Sequence, residues 1–209
     1  ATGRPGVLAV VPGPGVTNAL THLGEALLDS TPVVAVVGDV ANGDKYRPFQ
    51  VHSLPTADLL RPVCKQVVCV EAVRQIPFAV RQAFRLAVSG EPGPVAVVVP
   101  YNLLIDAAHF RDPPPADLPL PFDVAAAQKA VHLLADRRLR VGIYAGLGCM
   151  DHGDKLAAVA DSLQAPVATS VSGKGCVPEG HPLAVGWGYG PHGSAVAEAA
   201  FRHGAMLPK

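Results

Sequence analysis

Three short apolar runs, rich in β-branched residues, constrain this chain most: "GVLAVV" at Gly6–Val11, "PVVAVV" at Pro32–Val37 and "PVAVVV" at Pro94–Val99. Each is too short for a buried helix and lacks the alternation of a half-exposed strand, so each predicts a strand covered on both faces. Between the first two, Leu20, Leu23, Ala26 and Leu27 fall at helical spacing, which predicts a helix over Thr17–Leu28 with Thr17 or Asn18 as its N-cap. Strand, helix and strand within about thirty residues is the size of a βαβ crossover and implies parallel pairing. The polar stretch Asp39–Pro55 reads as a long loop and Thr56–Leu60 as a short helix. Lys65–Val70 reads as a further strand, Ile76–Val88 as an amphipathic helix, and Pro100 closes the strand that begins at Pro94.

The proline-rich run "DPPPADLPLP" at Asp112–Pro121 interrupts this pattern and forbids regular pairing, so residues 106–122 read as a linker. Beyond it the alternation restarts, with helices at Val124–Leu134 and Lys155–Leu163, strands at Arg140–Ala145 and Pro166–Val171, and a helix near Ser194–Phe201. The expected architecture is α/β: two consecutive parallel-sheet, Rossmann-like (flavodoxin-like) domains, at 1–105 and 123–209. The chain enters a core strand within six residues of Ala1, and after the last helix "RHGAMLPK" supplies no further strand, so both domains are expected to be incomplete.

Seventeen basic residues balance seventeen acidic ones, with no run of five like charges, which argues against nucleic acid or an anionic membrane as partner. Cys64, Cys69, Cys149 and Cys176 form no C-x-x-C pair and read as reduced, partly buried thiols, and no apolar stretch has the length of a spanning helix. A soluble cytoplasmic protein acting on a small molecule is the expectation.

Gly13-Pro-Gly15 lies between a strand and a helix, where backbone N–H groups and the positive helix end converge. As a dinucleotide fingerprint it is weak, because Asn18 stands where the third glycine belongs; a plain tight turn is the competing explanation. Lys174 meets no Walker spacing, no G-x-S-x-G elbow is present, and the eight histidines form no H-E-x-x-H. No metal site is expected in this chain. Asp39 and Asp44 read as members of a solvated loop, and Trp187 as a core or interface aromatic. On their own, Phe49 reads as a core residue and Gln50 and Lys65 as surface residues.

Taken together, "ATGRPGVLAVVPGPGVTNAL" (1–20), "DSTPVVAVVGDV" (29–40), Phe49-Gln50, "RPVCK" (61–65) and "GEPGPVAVVVP" (90–100) resemble the pyrimidine-binding domain of thiamine diphosphate enzymes of the acetolactate synthase-like family. Past the linker, "GLGC" (146–149), "APVATSVSGKGCVPEGHPLAVG" (165–186) and "GPHGS" (190–194) resemble the central domain of the same family, in the same order. Asp39 and Trp187-Gly-Tyr depart from the synthase pattern and favour the wider family over acetolactate synthase itself.

The resemblance implies that Gly13, Pro14, Gly15 and Asn18 line the pocket of the cofactor's aminopyrimidine ring, with Phe49 and Gln50 beside its reacting end. It makes Gln50 and Lys65 candidates for orienting a 2-oxo acid. It places Gly146, Gly148, Gly173, Lys174, Gly175, His192 and Gly193 around a nucleotide-like pocket that holds FAD in the synthases and ADP or nothing in their relatives. Thiamine diphosphate with Mg2+ is the implied cofactor. The activating glutamate and the metal-binding motif of the family belong to segments outside this stretch, which is therefore expected to be inactive alone and to work in a homodimer or homotetramer. The readings of a different class are a non-catalytic module that binds ADP or FAD, and a decayed remnant.

Overall fold

The computed structural model describes residues 4–110, 122–136, 138–188 and 192–202, and the chain divides into two compact units, Ala1–Asp117 and Leu118–Lys209. In the first, β1 (Gly6–Val10), β2 (Val33–Asp39), β3 (Gln66–Cys69) and β4 (Pro94–Pro100) form an all-parallel sheet in the order β1-β2-β4-β3. Among the described residues, α1 (Pro14–Leu28), α2 (Thr56–Leu60), α3 (Ile76–Val88) and the short α4 (Tyr101–Leu104) accompany it.

All seven residues of β4 are buried, because the sheet is covered on both faces. Alternation along the strand assigns the two cores. Ala96 and Val98 join Ala35 and Val37 of β2 and Val16, Ala19 and Leu23 of α1, with Leu60 and Cys64. Val95, Val97 and Val99 join Val34 of β2 and Ala79, Ala83 and Ala87 of α3. The alanines recur every fourth residue, so one stripe of α3 has small side chains and its backbone approaches the valine strand closely. Burial pushes the Cys64 thiol up to about 11, since the ionised form would lose its hydration in the first core.

In the second unit, β5 (Ile143–Ala145), β6 (Val167–Thr169) and β7 (Ala184–Trp187) form a parallel sheet in sequence order, with α5 (Val124–Leu134), α6 (Gly153–Leu163) and α7 (Ala195–Arg202). A 3-10 turn, Leu147–His152, joins β5 to α6. The core is small: Ala145, Ala160, Val167, Cys176 and Val177, flanked by Ile143, Cys149, Leu156 and Leu183.

α2, α3 and α5 have the bounds that the periodicity predicts. Three expectations need adjustment. α1 starts at Pro14, three residues before the predicted start, because Pro14 suits the first helical position and Gly13 is its N-cap; the Thr17 hydroxyl donates inside the first turn to Pro14 O (3.2 Å). The strands predicted over Arg140–Ala145 and Pro166–Val171 shorten to three residues each, and β7 and α4 were not foreseen. Trp187 is 44% exposed. Most of the predicted linker, residues 111–121, and the "HGAMLPK" end, 203–209, lie outside the described residues, as do Tyr189 and the first two residues of "GPHGS", Gly190 and Pro191.

Candidate functional site

In a parallel sheet every strand ends at the same edge, so the loops after β1, β2 and β4 gather there, the usual place for a ligand in an open α/β fold. The first loop turns at Gly13, whose φ of +64° lies in the left-handed region that favours glycine. A Cβ at Gly13 would fall 3.0 Å from His52 Cα and 2.8 Å from its Cβ, so the segment after β2 is packed directly against this glycine. Neither neighbour can give way cheaply, because one is backbone and the other is held at a positive φ of its own, +67°.

The long loop between β2 and α2 is tied down at several points. Asp39 Oδ1 accepts hydrogen bonds from Val40 N (2.8 Å) and from the hydroxyl of the buried Thr56 (3.0 Å). Asn42 N donates to Asn102 Oδ1 (3.0 Å), linking the loop to α4. Asp39 is thus an anchor of the loop, where the sequence suggested a solvated side chain. The Gln50 amide, half-buried, donates to the carbonyl of Ala41.

The structure brings together Gly13, Pro14, Gly15 and the loop holding Gln50 at this edge. Asn18, exposed on α1, shares a helix face with Pro14 one turn away. Phe49 is 79% exposed, not the core residue that its type alone implies. Lys65 is not brought to the same place. It immediately precedes β3, and its backbone N–H donates to Pro94 O at the start of β4, so it stands at the opposite edge. The ammonium donates to Leu86 O (2.7 Å), Ser89 O (2.7 Å) and Glu91 O (2.6 Å). These are carbonyls at and beyond the C-terminal end of α3, where a cation is favourable. His52 is the residue that motif reading missed; its only signal is conformational and leaves no mark in residue type.

The second unit repeats the logic with its own glycines. A Cβ at Gly173 would lie 2.4 Å from Ala145 O and 2.9 Å from Gly146 C, so the turns after β5 and β6 touch through backbone. Gly173 N donates to Ser170 Oγ (2.9 Å), closing that turn. Gly175 has φ +94°. Gly188, φ +65°, packs on Gly193, whose Cα would be 2.9 Å from an added Cβ. Ser194 Oγ donates to Val185 O (2.8 Å) and accepts from Ala197 N (3.2 Å), which fixes the start of α7. Lys174 is exposed and pairs with Glu179 at 3.3 Å, and His192 is exposed. Gly146, Gly148, Gly173, Gly175 and Gly193 therefore all follow the carboxyl ends of the three strands.

A cavity of about 500 Å³ opens beside the 3-10 turn, lined among others by Asp151, His152, Lys155, Gly175 and His181. Among the described residues no group of three or more His, Cys, Asp and Glu is gathered to hold a metal ion, and no helix is long and apolar enough to cross a membrane.

Comparison with known proteins assigns the two units in turn. Residues 1–58 match the family described as "Thiamine pyrophosphate enzyme, N-terminal TPP binding domain", and residues 127–206 match "Thiamine pyrophosphate enzyme, central domain". The acetolactate synthase large subunit of Corynebacterium glutamicum is 34% identical over 217 residues, a match that spans 99% of this chain and 34% of that protein. The probable acetolactate synthase large subunit of Methanocaldococcus jannaschii is 34% identical over 214 residues, covering 96% and 35%. The chloroplastic acetolactate synthase of Arabidopsis thaliana is 32% identical over 213 residues, covering 99% and 31%. The chain thus spans about a third of the length of these relatives.

Proposed function

The chain belongs to the thiamine pyrophosphate enzyme family through its N-terminal and central domains, and from that premise we propose that it supplies the pyrimidine-side and central domains of a thiamine diphosphate-dependent carboligase or decarboxylase acting on a 2-oxo acid. The observation that carries this is the buried Gly13 turn, held at positive φ against the His52 backbone at the carboxyl edge of the sheet. Such a turn lets peptide groups approach a flat heteroaromatic ring that a side chain would keep away.

Gly13, Pro14, Gly15 and Asn18 would hold the aminopyrimidine ring, with Phe49 and Gln50 from the facing loop beside it. When bound, thiamine diphosphate supplies the nucleophilic carbon and the electron sink for cleaving the bond next to a carbonyl. The chain's own part is to bind and to orient. The exposed Phe49 ring offers an apolar wall that excludes water, and the Gln50 amide, already donating to Ala41 O, retains acceptor capacity on its oxygen. Lys65, committed to three carbonyls at the other edge, acts on stability and not on substrate.

The family resemblance extends the proposal to Mg2+ at a diphosphate site outside this chain, to a homodimer or homotetramer, and to FAD or ADP at the carboxyl edge of β5, β6 and β7. Four free cysteines suit a cytoplasmic setting.

The test is a calorimetric titration of the purified gene product with thiamine diphosphate and Mg2+, beside 2-oxo acid turnover. Gly13→Ala should weaken cofactor binding by tenfold or more and Gly148→Ala should leave it unchanged, since a Cβ at Gly148 meets nothing. Unchanged affinity in Gly13→Ala would remove the proposal. A second reading, a module that binds ADP or FAD without catalysis, is favoured by the backbone-to-backbone approach of Gly173 to Ala145 and Gly146. It predicts stabilisation by ADP or FAD and none by thiamine diphosphate.

A further inference from the structure

The second unit contains two of the chain's four cysteines, and the fold brings both to one place. Cys149 lies in the 3-10 turn after β5, where its N–H donates to Gly146 O (3.1 Å); Cys176 closes the turn after β6, where its N–H donates to Gly173 O (3.1 Å). The two turns lie side by side at two points. A Cβ at Gly173 would be 2.9 Å from Gly146 C, and one at Gly153 would be 2.2 Å from Cys176 O. Cys149 is midway along the segment between Gly146 and Gly153. Cys176 is a member of the small core, and Cys149 packs against that same core.

We propose that Cys149 and Cys176 form a reversible disulfide that fastens the turn after β5 to the turn after β6, at the edge that carries Gly146, Gly148, Gly173 and Gly175. The half-buried Cys149 is the reacting thiol and the buried Cys176, 4% exposed, is the resolving one. With hydrogen peroxide as oxidant, the Cys149 thiol sheds its proton, its sulfur attacks a peroxide oxygen to become a sulfenic acid, and the departing hydroxide takes up that proton as one water. Cys176 then gives up its proton, its sulfur attacks the Cys149 sulfur, and the hydroxyl leaves as a second water. Two electrons pass from the thiols to the peroxide. A dithiol reductant reverses the step by thiol–disulfide exchange.

Burial raises the Cys176 thiol above its ordinary range, and negative charge on Cys149 adds to the rise, so the two sulfurs feel each other electrostatically. Closing the bond would join two turns that already lie side by side where Gly173 meets Gly146 and Gly153 meets Cys176.

The experiment treats the purified protein with hydrogen peroxide and maps disulfides by mass spectrometry without reduction, in buffer and in urea. In the folded protein, Cys149 and Cys176 peptides should be joined, with a loss of about 2 Da, and dithiothreitol should separate them. Cys149→Ser and Cys176→Ser should each abolish the link, while Cys69→Ser should not. In urea, the short span between Cys64 and Cys69 should favour that pair instead, because loop closure costs least there. The proposal is overturned if the folded protein gives the same pairing as in urea, or if Cys149 proceeds to the sulfinic acid with no link to Cys176.

Discussion

The two units use the same plan, parallel strands with helices between them, and differ in what holds the plan together. In the first, β2 and β4 are seven residues long and packed on both faces by α1 and α3. In the second, β5 and β6 have three residues each, and α5 has no buried residue. Apolar area explains the first unit. Backbone closeness, permitted by Gly153, Gly173 and Gly188, defines the second. A fold held by area tolerates change of shape better than change of polarity, whereas a fold held by glycine contacts is sensitive to a single methyl group.

The largest effect that separates them is expected at Val97, which is fully buried between β2, β3 and α3. Val97→Asp would strand a carboxylate among valines and alanines and should cost more than about 4 kcal/mol, enough to unfold a marginally stable domain. Thermal melts followed by circular dichroism would read this as loss of the cooperative transition. A well-folded Val97→Asp protein would show that the first core is not what holds the unit.

Next comes Gly173→Ala. The added methyl would meet Ala145 O at 2.4 Å, which forces backbone to move and should cost about 3 kcal/mol. Gly148→Ala, in open space in the same region, should stay within about 0.5 kcal/mol. Equal melting temperatures for the two variants would break the contrast between area and closeness.

That contrast also explains what was legible in the sequence. The runs at 6–11, 32–37 and 94–99 announced strands because continuous β-branched residues have little other use, and α3 was readable because its apolar stripe is amphipathic. The glycines of the second unit were visible as letters, but the contact that each one permits is with a residue distant in the chain, as Gly173 is with Ala145. β7 went unseen because "AVGW" is short and half-exposed. The resemblance makes Lys65 a candidate for orienting a substrate, whereas its reach to Leu86, Ser89 and Glu91 depends on where α3 ends in space. His52 was missed because nothing in a histidine foretells positive φ.

A middle-sized effect is expected at Cys64. Its thiol is raised from 9.0 to about 11, so the folded state holds its proton more tightly than the unfolded one. The stability that this contributes is complete below the unfolded value of 9.0 and is lost as pH rises toward 11, amounting to about 2 kcal/mol near pH 10.5. Denaturant midpoints at rising pH should therefore fall more steeply in the wild type than in Cys64→Ala. Parallel curves would mean that Cys64 is hydrated, and the first core correspondingly looser than its valines imply.

Smaller again is Lys65→Met, which removes three hydrogen bonds from the end of α3 while keeping the aliphatic stem against Gly93. A loss of roughly 1–1.5 kcal/mol is expected, since water replaces the ammonium at exposed carbonyls. The informative pairing is stability against kinetics. A lowered melting temperature with unchanged kcat/KM places Lys65 in the scaffold, and the reverse would return it to the substrate.

The smallest effect is expected in α5, where Val131 is 65% exposed although it belongs to a helix with apolar residues at helical spacing. Val131→Ser should change stability by less than about 0.5 kcal/mol, whereas a comparable polar change at Ala83 of α3 removes a residue that is fully buried. Both helices carry apolar residues on successive turns, but only α3 has a sheet against its stripe of alanines. If Val131→Ser costs 2 kcal/mol or more, α5 has a packing partner in the working protein, and the second unit then depends on area as the first one does.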